Sequence, residues 1–184
     1  MSSLRGKRLI LAVCGGIAAY KSCDLASRLV KEEARVTALL TKGARRFVRP
    51  LAFEALTGQP SLTRLFKRIK APGESAYPHI DPARDADAVI IAPATAGCMA
   101  RLAHGFSSDL LSALMLSVRC PVFVCPAMNV NMWEHPATQA NVKTLLSFGH
   151  IFLGPESGAL ACGMTGAGRM LEPEQIVAAL RAHF

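Results

Sequence analysis

Aromatic residues are scarce in this chain: eight Phe, two Tyr and one Trp among 184 residues. They do not interleave with basic residues, so the stacking platforms of single-strand nucleic-acid binders are absent. Six cysteines, at positions 14, 23, 98, 120, 125 and 162, form no CxxC pair, which excludes zinc ribbons and thioredoxin-like motifs. No metal site is expected. No apolar run approaches the ~20 residues of a membrane span. The opening "MSSLRGKRLILAVCGG" places basic residues before an apolar run. That run, Leu9–Cys14, is about six residues, short of the 7–15 of a secretory h-region. It is read as a buried first strand, and the chain as a cytoplasmic protein with reduced thiols. Internal repeats are lacking. With 51% hydrophobic and 18% charged residues, a disordered chain is excluded. The length fits a single domain spanning 1–184.

Charge is unevenly placed. Residues 1–70 hold 15 Lys and Arg against 4 Asp and Glu, whereas residues 71–184 hold 6 against 9. The basic residues are spread out, which fits an anionic small molecule better than nucleic acid or a membrane surface.

The chain alternates apolar runs with helical patterns. "RLILAV", "ARVTALLT", "AVIIAPAT", "CPVFVCPAM" and "HIFLGP" are apolar throughout, as strands covered on both faces are. Helical stretches separate them: "IAAYKSCDLASRLVKEE", "RFVRPLAFEALTG", "AGCMARLAHG", "SDLLSALMLS", "HPATQANVKTLLSFG" and "EPEQIVAALRAHF". Residues 59–87 read as irregular. The pattern predicts a doubly wound parallel α/β sheet in three αβα layers, Rossmann- or flavodoxin-like. Ligands then sit beyond the carboxyl ends of the strands.

Several candidates fall there. Gly15 and Gly16, followed by Ile17, are either a tight strand–helix turn or a cradle for phosphate. This is not GxGxxG, and Thr41 rather than an acidic residue ends the second strand. A mononucleotide such as FMN therefore suits better than a dinucleotide. Pro93, Ala94 and Thr95 form a second small-residue turn, where Thr95 either caps the next helix or bonds the ligand. Ala127, Met128 and Asn129 follow the fourth strand. The Asn129 amide either faces the ligand or caps a helix, with Asn131 competing for the cap. Of five histidines, His79 stands in a loop between Pro78 and Asp81, whereas His104, His135 and His150 have helix-end contexts. "PESGALACGMTGAGRM", 155–170, reads as a loop, neither helix nor regular strand. Either its Cys162 is incidental or the loop exists to carry it.

Taken together, "GGIAAYK", "PHI", "APATA", "PAMN" and "ACGMTGAGRM" resemble the flavin-dependent cysteine decarboxylases, nearest to the phosphopantothenoylcysteine decarboxylase branch. The resemblance runs from about Lys7 to Leu180. It implies FMN held by Gly15, Gly16, Ile17, Thr41 and Pro93–Thr95, with Ala127 and Met128 near the ring. It implies oxidation of the substrate cysteine to a thioaldehyde, loss of carbon dioxide to an enethiolate, and return of the hydride. His79 assists the oxidation, Asn129 holds the substrate carboxylate and amide, and Cys162 gives the proton. Ala161, Met164 and Arg169 belong to the same substrate-binding flap, with its glycines as hinges. Trimers, or dodecamers of four trimers, are implied. The bacterial protein of this family usually continues into a ligase domain; no ligase activity is expected of these residues, and a phosphopantothenate–cysteine ligase as a domain or as a separate chain is left open. Pro82 departs from the family's apolar start of a short helix, which puts the position of His79 in question. Three neighbouring readings stay open: a peptidyl-cysteine decarboxylase of lantibiotic type, a flavin prenyltransferase (which lacks PAMN and ACG), and a non-catalytic regulatory flavoprotein, whose acidic tail is missing.

Overall fold

The computed structural model describes residues 3–66, 77–161 and 163–184. Cys162 lies outside the described residues. Strand β1 (Arg8–Val13) leads through a 3-10 turn, Ile17–Tyr20, into α1 (Lys21–Lys31), followed by β2 (Arg35–Leu40) and α2 (Pro50–Thr57). Then come α3 (Asp81–Asp85), β3 (Ala88–Ala94), α4 (Ala96–Ala103), α5 (Leu110–Met115) and β4 (Val122–Pro126). Helices α6 (Val130–Glu134) and α7 (Pro136–Ser147), strands β5 (Ile151–Phe152), β6 (Glu156–Ala159) and β7 (Thr165–Arg169), and α8 (Pro173–His183) complete the order.

Strands β1 to β5 form a parallel sheet ordered β2-β1-β3-β4-β5. This is the flavodoxin-like order, in which the winding reverses between β1 and β3. Side chains alternate across the sheet with period two. Leu9, Leu11 and Val13 of β1 join Ile90 and Phe123 in one core, packed on α1, α2 and α8. Ile10, Ala12 and Cys14 join Val89, Ile91 and Val124 in the other, packed on α4, α5 and α7. Each such aliphatic side chain contributes roughly 1.5–3 kcal/mol when buried. Both faces need cover, so the strands carry unbroken apolar runs. Leu110, Leu111 and Leu114 of α5 are part of this packing.

Helix ends follow local chemistry. Arg49 is extended ahead of Pro50, and Gly58 terminates α2 in the left-handed region at φ 65°. His135 caps α7, its Nδ1 accepting the Ala137 N–H at 3.2 Å, and the following Pro136 opens that helix.

Two expectations require correction. Residues 59–87 are not irregular throughout, because α3 forms with Pro82 in its first turn. Proline is tolerated there, where no helical N–H is needed. Residues 155–170 are not a plain loop: β6 and β7 form an antiparallel hairpin. Two of its glycines allow close packing and are not hinges. A Cβ on Gly166 would lie 2.7 Å from Val130 Cγ2, and one on Gly168 would lie 2.2 Å from the Met128 carbonyl oxygen. The Met128 N–H donates to Gly168 O at 3.0 Å, fastening β7 to the turn after β4.

Candidate active site

A cleft of about 420 Å³ opens at the carboxyl ends of β1, β3 and β4. That volume lies within the roughly 300–1,000 Å³ of small-molecule and cofactor sites. Its floor is the turn after β1, with Gly15, Gly16 and Ile17, together with Thr95, Ala127, Met128 and Asn129. Its other wall is the hairpin, with Ala159, Leu160, Ala161, Gly168 and Arg169. A larger cavity, about 560 Å³, lies at the opposite edge, between Arg8–Ile10, Arg35 and α3. It adjoins the amino ends of the strands, away from the switch point where doubly wound sheets bind ligands.

Each floor residue has a local reason for its place. Gly15 is required by packing: a Cβ there would meet the Gly43 backbone at 2.6 Å, where the turns after β1 and β2 touch. Gly16 has open space in front of it, with only Thr95 Cγ2 near, at 3.9 Å. It starts the 3-10 turn without a side-chain cap and, with Ile17, lines the cleft. Thr95 Oγ1 accepts the Cys98 N–H at 3.3 Å and so caps α4 while bordering the cleft. Asn129 is both cap and wall. Its Oδ1 accepts the Asn131 N–H at 2.8 Å, and its Nδ2 donates to Met164 Sδ at 3.2 Å.

Four candidates stand off the cleft. Thr41 Oγ1 donates to Val13 O and accepts the Ala44 N–H, each at 3.2 Å. Its strand β2 lies one place beyond β1 and away from the switch point. Pro93 and Ala94 are buried at the end of β3, where their carbonyls accept the N–H groups of Cys14 and Ala127. They hold the strand ends together and do not line the cleft. His79 immediately precedes α3, whose Asp81, Pro82 and Asp85 line the opposite cavity. Its Nδ1 is buried with no partner among the described residues. Within one copy of the chain, His79 is not brought to the cleft.

Residues not foreseen complete the wall: Ala18, Tyr20, Lys21, Met132 and Met170. Tyr20 falls one turn of the 3-10 segment after Ile17, which places both on one face, and Lys21 follows as the first residue of α1. Lys21 Nζ pairs with Glu172 at 2.7 Å. Arg169 pairs with Glu156 at 3.0 Å, and Gln175 Nε2 donates to the same carboxylate at 2.5 Å. These contacts tie the hairpin base to α8 and α1. The Gln175 hydrogen bond, then Arg169, hold Glu156 below its ordinary value. Among the thiols, burial pushes Cys125 up to about 12. A hydrogen bond with Cys14, then burial, raises Cys98.

The cleft therefore offers an apolar floor at Ala127–Met128, the uncapped turn at Gly16–Ile17 and a buried Arg169 Nε without a partner among the described residues. That set fits a flat, largely apolar group carrying an anionic tail. A family model described as "Flavoprotein" matches residues 1–184. The chain is 44% identical over 181 residues to the coenzyme A biosynthesis bifunctional protein CoaBC of Bacillus subtilis (strain 168), covering 98% of this chain and 44% of that protein. It thus spans under half the length of that relative. A mutant PPC decarboxylase complexed with pantothenoylaminoethenethiol superposes with TM-score 0.85 at 30% identity, over 97% of this chain and 98% of that one. The FMN binding protein AtHal3 superposes at 0.84 with 31% identity, over 98% and 97%. Sheet order, cleft and full-length match agree: the chain belongs to the Flavoprotein family.

Proposed function

We propose that this chain is an FMN-dependent decarboxylase that converts 4′-phosphopantothenoylcysteine to 4′-phosphopantetheine, a step of coenzyme A biosynthesis. The observation that carries this reading is the cleft itself. It combines a flavin-suited floor with a hairpin that bears the ACG segment, and the PPC decarboxylase with a bound enethiol shares the fold over nearly its whole length.

A cysteine carboxylate loses carbon dioxide poorly because the carbanion has no electron sink. Bound FMN would supply that sink by reversible two-electron chemistry at the carbon bearing sulfur. The residues of the chain do the rest. Gly16 and Ile17 would hold the phosphate of the cofactor, and Ala127 with Met128 would hold its ring. Asn129 Nδ2 donates to the substrate carboxylate and orients it. After carbon dioxide leaves, Cys162 gives its thiol proton to the enethiolate; an ordinary thiol, with a pKa near 8.5, is still protonated at neutral pH. The hairpin covers the cleft and excludes water.

The chain works as a homo-oligomer, a trimer or four trimers, in the cytoplasm. Ile17 and Tyr20 at the cleft mouth are 61% and 62% exposed, an apolar rim that a second copy covers. His79 then serves a neighbouring copy's cleft, as the base for the substrate thiol.

The test is direct. FMN-loaded protein is given 4′-phosphopantothenoylcysteine, and carbon dioxide and product mass are measured. Cys162→Ser is expected to slow formation of the reduced product by roughly 10²–10⁴, the usual contribution of a general acid. Wild-type rates in that variant exclude the proton-donor role. Turnover only of peptides ending in cysteine selects the peptidyl reading, and no turnover of either selects the regulatory one.

A further inference from the structure

We infer that Met164 is a displaceable stand-in for the substrate carboxylate, and so a positioning residue that sets how tightly carboxylate-bearing ligands bind. The inference rests on the proposed role of Asn129.

Four observations support it. The Asn129 amide is oriented unambiguously, because its Oδ1 accepts the Asn131 N–H at 2.8 Å and the NH₂ must then face the other way. Among the described residues, it donates to the Met164 thioether, at 3.2 Å. Met164 is 38% exposed, so the sulfur is not locked in a core. The strand that follows is fixed, through the Gly166–Val130 approach and the Met128–Gly168 hydrogen bond, to the same turn that carries Asn129. The hairpin therefore delivers a sulfur to a ligand-binding amide on a rigid base.

A thioether is a weak acceptor, and a carboxylate is a strong, charged one. The arriving carboxylate takes the amide donor and releases Met164, whose unbranched side chain swings aside readily. Occupying the donor keeps it satisfied in the resting cleft. The contact also filters ligands, since only a better acceptor displaces it. Position 164 is an open position in the ACG-x-x-G-x-GRM pattern, so this filter is a property of this chain's own residue.

The experiment compares wild type with Met164→Leu, a volume-conserving change that removes the acceptor. Two thiol-free ligands that cannot turn over are titrated into FMN-loaded protein by calorimetry. One is the alanine analogue of the substrate, which keeps the carboxylate; the other is the matching ethylamide, which lacks it. Losing one weak competing hydrogen bond is expected to tighten the alanine analogue roughly 2- to 5-fold. The ethylamide is expected to bind both proteins equally. An equal change for both ligands, no change, weaker binding of the alanine analogue, or no binding of either overturns the inference. Failure of the proposed reaction is separately visible as absence of turnover with the true substrate in wild type.

Discussion

Replacing Gly168 by alanine probes the join between the hairpin and the cleft floor. The added Cβ would stand 2.2 Å from the Met128 carbonyl oxygen. Ordinary carbon–oxygen approach is roughly 3.3 Å, so β7 must retreat by about 1 Å. Retreat breaks the 3.0 Å bond from the Met128 N–H to Gly168 O, a loss of about 0.5–1.5 kcal/mol. The glycine also has φ 153°, a region close to glycine-only, costing a side chain about 1–3 kcal/mol. Together these give about 1.5–4.5 kcal/mol, or a fall in Tm of roughly 3–18 °C for a domain of this size. Gly163→Ala is the control. It too has positive φ, but nothing lies within 4 Å of its Cβ, so it carries only the backbone cost. Scanning calorimetry reads the Tm, and limited proteolysis reads hairpin detachment. If Gly168→Ala matches Gly163→Ala in both Tm and cleavage pattern, close packing is not why this glycine is present.

Glu156, held below its ordinary carboxylate value by Gln175 and Arg169, gives the hairpin an acid limit. Its contribution is complete above about pH 4.5 and is lost as pH falls through the lowered native value. In Glu156→Gln the hairpin is expected to be cut faster by protease at neutral pH, and its pH dependence between 3 and 6 to flatten; an unchanged profile refutes the role. Thiol titration of native protein is expected to spare Cys14, Cys98 and Cys125, which are buried, until denaturant is added, while half-buried Cys23 and Cys120 react slowly. Rapid native labelling of the buried three contradicts the packing. Finally, mixing inactive His79→Asn and Cys162→Ser chains is expected to restore decarboxylase activity if His79 serves a neighbour's cleft. Mixtures that stay inactive remove that assignment.

The five sheet strands were legible because both of their faces are buried, and runs such as "AVIIA" carry no polar interruption. The cleft floor was legible because the fold places it at strand ends. The hairpin was not. Ser157, Gly158 and Ala159 lack the β-branched and aromatic residues that announce a strand, and its order comes from docking on Val130 and Met128. Thr41 had the right residue type at a strand end, but the chemistry of a strand end depends on strand order, which a linear pattern does not encode. Gly15 was read as either a tight turn or a phosphate cradle; it borders the cleft, and the sequence did not show that it also meets Gly43, 28 positions away. Asn129 was poised between cap and ligand, and its two amide atoms divide those tasks.

Burial along the hairpin's second arm, over residues 161–170, runs in one direction. Ala161, Gly163, Met164 and Thr165 at its tip are exposed, whereas Gly168 and Met170 at its base are buried. The mutational load is graded accordingly: tip residues can be exchanged with little effect on folding, while base residues cannot. Substrate preference can thus drift through the tip by single steps, each leaving the scaffold and the flavin floor intact. In a directed-evolution library spread evenly over 156–170, surviving changes are expected to crowd into the tip.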